Sequence, residues 1–286
     1  MPLDPEKLLS LTIPDVEQTY GPKDCILYAL GVGFGLDPLD KDELAFVYEK
    51  NLKVLPTYAL VQGYTPDWLF TAGAGVTQAK TVHGEQAVIL HEPVAPRGTV
   101  VRRNRIVDVI DKGADKGALV YSEHRVTDKA SGRLLATLKQ TTFCRGDGGF
   151  GGPHRETPPP HALPKRAPDA VCDLPTRPEA ALIYRLSGDT NPLHADPDFA
   201  RAGGFPRPIL HGLATFGVAG HALLKCVCGY RPEMMTAMAG RFSAPVFPGE
   251  TIRTEIWRDG GTVSFRARVL ERAVIAINNG RAEVAV

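Results

Sequence analysis

The sequence predicts an α+β fold of two similar halves, in each of which an antiparallel sheet wraps a helix. Three observations lead there. A proline-flanked tetrapeptide recurs at fixed spacing, a glycine- and proline-rich stretch lies near the middle, and one segment is apolar on every side. Pro93-Val94-Ala95-Pro96 precedes Thr99-Val100, and Pro245-Val246-Phe247-Pro248 precedes Thr251-Ile252. Equivalent positions stand 152 apart, as in 245 minus 93. A repeat of that length, followed each time by strand-like sequence, reads as a duplicated half.

The stretch 146–178 holds five glycines and eight prolines. Such a composition cannot continue a helix or a central strand. It is read as a linker between an N-terminal half (1–145) and a C-terminal half (179–286). In the first half, Thr99 to Val109 and Leu119 to Cys144 alternate and carry β-branched residues. In the second, Thr251 to Trp257, Thr262 to Leu270 and Val274 to Val286 do the same, with turns expected at Asp259-Gly260-Gly261 and Asn279-Gly280.

Helical signals precede the second set of strands. Pro178 opens a short amphipathic segment, Glu179 to Leu186, and Asp196-Pro197-Asp198-Phe199 has the form of a capped helix start. From Pro208 to about Cys226, apolar residues point in all directions, as expected of a buried helix. Gly212, Gly217 and Gly220 each cost that helix roughly 1 kcal/mol in propensity. The expected return is close approach of a sheet or a ligand.

Composition excludes several classes. The 286 residues are 43% apolar and 23% charged, with net charge +1. No basic surplus points to nucleic acid. The longest apolar run, Ile26 to Leu36, is half the roughly 20 residues a membrane helix needs. Asp4 and Glu6 fit no secretory signal, and the C-terminal Ala282 to Val286 is not a peroxisomal address. Five scattered cysteines, with Cys226-x-Cys228 read as helix-end thiols, fit a reducing cytoplasm better than a disulfide frame or a metal site.

The densest polar cluster is Tyr184-Arg185-Leu186-Ser187-Gly188-Asp189-Thr190-Asn191-Pro192-Leu193-His194. Pro192 disfavours helix at Asn191, so a rigid turn between Asp189 and His194 can bring both side chains to one point. A plain surface turn with His194 in solvent fits the same residues. Downstream, Pro208-Ile209-Leu210-His211-Gly212 enters the buried helix. The amide of Gly212 would be one of the unpaired donors at a helix N-terminus, open to a ligand because glycine has no side chain. His211 reads as a capping or core histidine.

The stretch Tyr184 to Phe216 resembles the signature of the MaoC-like, type 2 (R-specific) enoyl-CoA hydratase family, in its two-domain form. The resemblance implies a double hot-dog fold, an acyl-CoA substrate, and reversible syn hydration of trans-2-enoyl-CoA to (3R)-3-hydroxyacyl-CoA. Asp189 and His194 map to the family's catalytic pair, Gly212 to its oxyanion donor, and Asn191 to the same active-site loop. Acyl-CoA contacts map to His83 and Gly84, to Lys112, and to Phe242. From residues alone His83-Gly84 also reads as a strand-entry turn, Lys112 as a hairpin lysine and Phe242 as core. Thr190 stands at a motif position where many members of the resembled family have tryptophan or another residue.

Hydration needs a base, an acid and a donor for the thioester oxygen. Asp189, His194 and the Gly212 amide suffice, with no metal and no cofactor. The first half has no counterpart of this cluster, so one site per chain is expected. Three glycines within Tyr28 to Gly35 argue against a long helix there, leaving room for a bulky acyl group. The alternatives are a dehydratase acting on acyl carrier protein substrates, a hot-dog thioesterase, and a non-catalytic acyl-CoA binder. Arg201, Arg207 and Arg241 are available for a carrier protein or for CoA phosphates. No membrane partner is expected, and the architecture is compatible with a homodimer.

Overall fold

The computed structural model describes residues 3–65, 68–152 and 157–285. Ten strands form one antiparallel sheet: β1 (Val16–Tyr20), β2 (Thr81–Leu90), β3 (Gly98–Asp111), β4 (Ala118–Asp128), β5 (Leu134–Cys144), β6 (Ala170–Pro175), β7 (Met235–Phe242), β8 (Thr251–Asp259), β9 (Thr262–Val269) and β10 (Val274–Val284). Seven α-helices accompany them among the described residues: α1 (Pro5–Leu9), α2 (Pro22–Gly31), α3 (Lys41–Leu44), α4 (Trp68–Thr71), α5 (Ala180–Tyr184), α6 (Pro197–Ala202) and α7 (Gly212–Cys226).

The sheet order is β1-β3-β4-β5-β2-β7-β10-β9-β8-β6. Matching β1 to β6, β3 to β8, β4 to β9, β5 to β10 and β2 to β7 makes the two halves of that order mirror each other. The two expected sheets are therefore fused edge to edge at β2 and β7. Ala87 pairs with Ala239 at the seam, and 239 minus 87 is again 152. Glu85 pairs with Arg241 and Ile89 with Ala237, symmetrically about that pair. A pseudo-twofold axis thus runs through Ala87 and Ala239, and the arrangement is the expected double hot-dog.

Two details depart from the expectation. Strand β6 falls inside the stretch read as linker, where it pairs with β8 as the outermost strand. An edge is where proline-rich sequence is tolerated, and Pro175 is its last residue. Asn279-Gly280 is not a turn but a bulge within β10. Asn279 has φ +54°, and the register shifts there against both β7 and β9. The turn at Asp259-Gly260-Gly261 is present, with Gly260 at φ +63°. Val286, included in the last expected strand, lies outside the described residues.

Helix α7 is the centre of the C-terminal half. Every residue from Leu213 to Leu224 is buried, and the helix packs on β6, β7, β8 and β10. Its glycines do permit close approach, of the sheet strand β7 at Gly212 and Gly220 and of the other half at Gly217 and Gly220. A Cβ at Gly217 would lie 2.5 Å from Val32 Cγ1, and one at Gly220 would lie 3.0 Å from Thr57 Cγ2. The N-terminal half has the shorter helix α2, ten residues ending at Gly31 and packed on α5. Arg102 on β3 is buried there. It donates through Nε to Asn104 Oδ1 at 2.9 Å and through a terminal nitrogen to Leu60 O at 2.9 Å. Burial lowers its pKa to about 10. No helix among the described residues is long and apolar enough to cross a membrane.

Candidate active site

The polar cluster forms a compact loop between α5 and α6. Helix α5 runs into a 3₁₀ turn, Arg185–Ser187, which ends at Gly188 with φ +122°, a conformation that favours glycine. Asp189 follows. Its Oδ1 accepts from Asn191 N at 3.2 Å, and Asn191 Oδ1 accepts from Leu193 N at 3.0 Å. The Asn191 side chain thereby caps a second 3₁₀ turn, Pro192–His194, which starts on Pro192 as its fixed φ favours. These two local bonds return the chain so that His194 faces Asp189. Asn191 itself is exposed.

His194 is only 8% exposed. Its Nδ1 donates to Ile209 O at 2.9 Å. A carbonyl can only accept, so the neutral ring carries its proton on Nδ1 and presents a lone pair at Nε2. Burial lowers its pKa, against smaller opposing effects of the Ile209 bond and the Asp189 charge. Asp189 is half-buried, and Tyr64 OH donates to its Oδ2 at 3.5 Å. Asp189, His194 and His211 each offer an atom within 4.8 Å of the others. One water held by two hydrogen bonds of about 2.8 Å bridges groups up to roughly 5.5 Å apart, so a single water can touch both Asp189 and His194.

Gly212 is the first residue of α7, and no side chain caps that terminus. Its amide has no acceptor among the described residues. A Cβ at Gly212 would lie 3.4 Å from the Phe242 ring, and Phe242 meets the His83 ring at 4.7 Å, edge to face. Phe242 and His83 therefore stand together beside the helix terminus. Burial pushes the His83 pKa down to about 4. Gly84 sits at a bulge inside β2, between His83 and Glu85, rather than in a strand-entry turn. Lys112 is exposed on the β3–β4 hairpin. That hairpin is two to three strand spacings, roughly 9–14 Å, across the sheet from β2. A cavity of about 230 Å³ between the halves is lined by Gln18, Asp24, Tyr58, Tyr64, Ser187 and Gly188, next to the Asp189 loop.

Two residues of the cluster escaped the sequence reading. His211, read as a capping or core residue, is buried but forms no side-chain cap. Its ring instead stacks on His194, centroids 3.7 Å apart and planes 26° apart. Its position next to Gly212 was the available signal. Tyr64 comes from the other half, and nothing in its local sequence ties it to Asp189. Asp189, His194 and His211 are also the residues that could hold a metal ion. His194 Nδ1 and His211 Nε2 are hydrogen-bonded to the Ile209 and Asp189 carbonyls, so each ring has one other nitrogen left to offer.

Comparison with known proteins agrees with this arrangement. Residues 18–146 match the MFE-2 hydratase 2 N-terminal domain, and residues 160–280 the MaoC like domain. The chain is 43% identical to 3-hydroxyacyl-thioester dehydratase Y of Mycobacterium tuberculosis over 276 residues, covering 94% of this chain and 92% of that protein. It is 40% identical to the peroxisomal enoyl-CoA hydratase 2 of Arabidopsis thaliana over 281 residues, covering 93% and 90%. Among solved structures, a MaoC-like dehydratase from Phytophthora capsici superimposes with a TM-score of 0.85 at 34% identity, covering 98% of each chain.

Proposed function

The chain belongs to the MaoC-like dehydratase family, and from that premise we propose that it reversibly hydrates trans-2-enoyl-CoA to (3R)-3-hydroxyacyl-CoA. The observation that carries the reading is the meeting of the Asp189 carboxylate and the buried His194 imidazole within one water's span, beside the free amide of Gly212. Burial keeps His194 neutral near pH 7, so Nε2 accepts a proton. In the forward direction the water oxygen bonds to C3, and the C2–C3 π electrons move onto the thioester as an enolate. The water's proton passes to the Asp189/His194 pair. The Gly212 amide and the dipole of α7 hold the enolate oxygen. The pair then delivers a proton to C2 on the same face, so one water is added in all. His83, Gly84 and Phe242 border the acyl thioester, Lys112 contacts the distant part of CoA, and Asn191 holds the catalytic turn.

The relative named enoyl-CoA hydratase 2 supports action on an enoyl-CoA, for which we propose a place in fatty acid β-oxidation. The five scattered cysteines support a cytoplasmic location, and the architecture is compatible with a homodimer. Loss of the conjugated-enoyl absorbance from crotonyl-CoA and longer enoyl-CoAs, with chiral analysis of the product, tests the reading. An S product, or turnover of carrier-protein thioesters in preference to CoA thioesters, would overturn it. So would hydrolysis of the thioester.

A further inference from the structure

We propose that His211 is a positioning residue for this reaction, holding both members of the catalytic pair through two different contacts. The inference rests on the functional reading above. His211 Nε2 donates to Asp189 O at 3.0 Å, fixing the backbone from which the carboxylate projects. Its ring face lies on His194 at 3.7 Å, with Tyr184 at 5.0 Å, so the catalytic imidazole has a flat support. His194 is then fixed on two sides, in its plane by Ile209 O and on its face by His211.

The chemistry of His211 suits support rather than proton transfer. It is 1% exposed, and burial pushes its pKa down to about 3, with the neighbouring His194 adding to the shift. A ring neutral throughout the working pH range neither competes for the proton nor repels a transient imidazolium on His194. Its remaining nitrogen, Nδ1, is buried without a partner among the described residues. Leaving such an atom unpaired costs about 1–3 kcal/mol. A plain core position would be filled more stably by an apolar side chain. His211 is also the residue immediately before Gly212, so one short stretch steadies the acid–base pair and supplies the oxyanion donor.

Three substitutions separate the contacts. His211→Ala removes both, His211→Phe keeps the ring and loses the donor, and His211→Gln keeps an N–H donor and loses the ring. A misplacement of about 1 Å can cost on the order of a hundredfold in rate, so His211→Ala is expected to lose about that much in kcat on crotonyl-CoA. Its KM should stay within about threefold, because the contacts act on the reacting groups and not on CoA. Phe and Gln should each restore part of the loss, with thermal midpoints following a different order from the rates. His211→Ala with kcat within about threefold of wild type overturns the assignment. So do Phe and Gln variants as impaired as Ala. A wild-type protein inactive on every enoyl-CoA refutes the functional reading and this assignment together, whereas an active wild type with an unaffected Ala variant refutes only the role of His211.

Discussion

His194 Nδ1 and Ile209 O are 2.9 Å apart, and this bond selects the tautomer in which Nε2 is bare. Ile209 lies in the extended approach to α7, so the segment leading to the proposed oxyanion amide also orients the His194 ring. Asp189→Asn and His194→Gln should each lower kcat by roughly 10²- to 10⁴-fold, the usual worth of general acid–base catalysis. Both proteins should unfold close to the wild-type temperature. Steady-state turnover of crotonyl-CoA with parallel melting curves checks this. A variant with near wild-type turnover removes that residue from the mechanism.

Gly212→Pro isolates the oxyanion donor. Proline is favoured at the first position of a helix, where the amide makes no intrahelical bond anyway. His211, the residue before it, already has the extended conformation proline requires, with φ −56° and ψ 139°. The substitution should leave α7 intact yet lower kcat by about 10²- to 10³-fold. Unchanged kcat would mean that another group binds the thioester oxygen.

Buried neutral histidines make stability depend on pH. Burial holds His83 at about 4, His211 at about 3 and His124 well below its ordinary value. Unfolded histidines titrate near 6.5. Below that pH the unfolded chain binds more protons than the folded one, so stability falls as pH drops from about 6.5 towards 4. Each histidine contributes a slope of up to about 1.4 kcal/mol per pH unit. The urea midpoint should be flat in this respect from pH 8 to 7 and decline below pH 6. A midpoint that rises on acidification would contradict it.

The bulge in β10 is held open by a packed ring. A Cβ at Gly280 would lie 2.6 Å from carbons of the buried Phe265 side chain. Gly280→Ala should destabilise the protein by about 1–3 kcal/mol through overpacking. Activity per folded molecule should change less than stability, since β10 supplies no site residue and touches the site only through its pairing with Phe242. Urea titration and turnover measured on the same samples decide this.

What the sequence made legible was local or repeated. The cap at Asp196 is present, with its carboxylate accepting from Asp198 N and Phe199 N. The buried helix, the 152-residue spacing and the turn around Pro192 depend on neighbouring residues or on a period, and they could be read from either. The bulge at Asn279-Gly280 was not legible, because the same dipeptide suits a hairpin turn until Phe265 is known to lie beneath it. Nor was β6, whose proline content argues against a strand until its place at the sheet edge is known. His211 and Tyr64 were missed because their partners are set by tertiary contact. Tyr64 reaches Asp189 across 125 residues of chain.

The pairing of Ala87 with Ala239 bears on how the molecule can be divided. Severing the chain between the repeats would leave each fragment with a bare row of backbone donors and acceptors where β2 meets β7. Such a row is a template for any strand that offers itself. The fragment bearing Asp189 and His194 would also lose the tyrosine that reaches its carboxylate. The N-terminal repeat is thus a permanent cover for the open edge of the other, a service that its strands perform whatever its side chains add to the site.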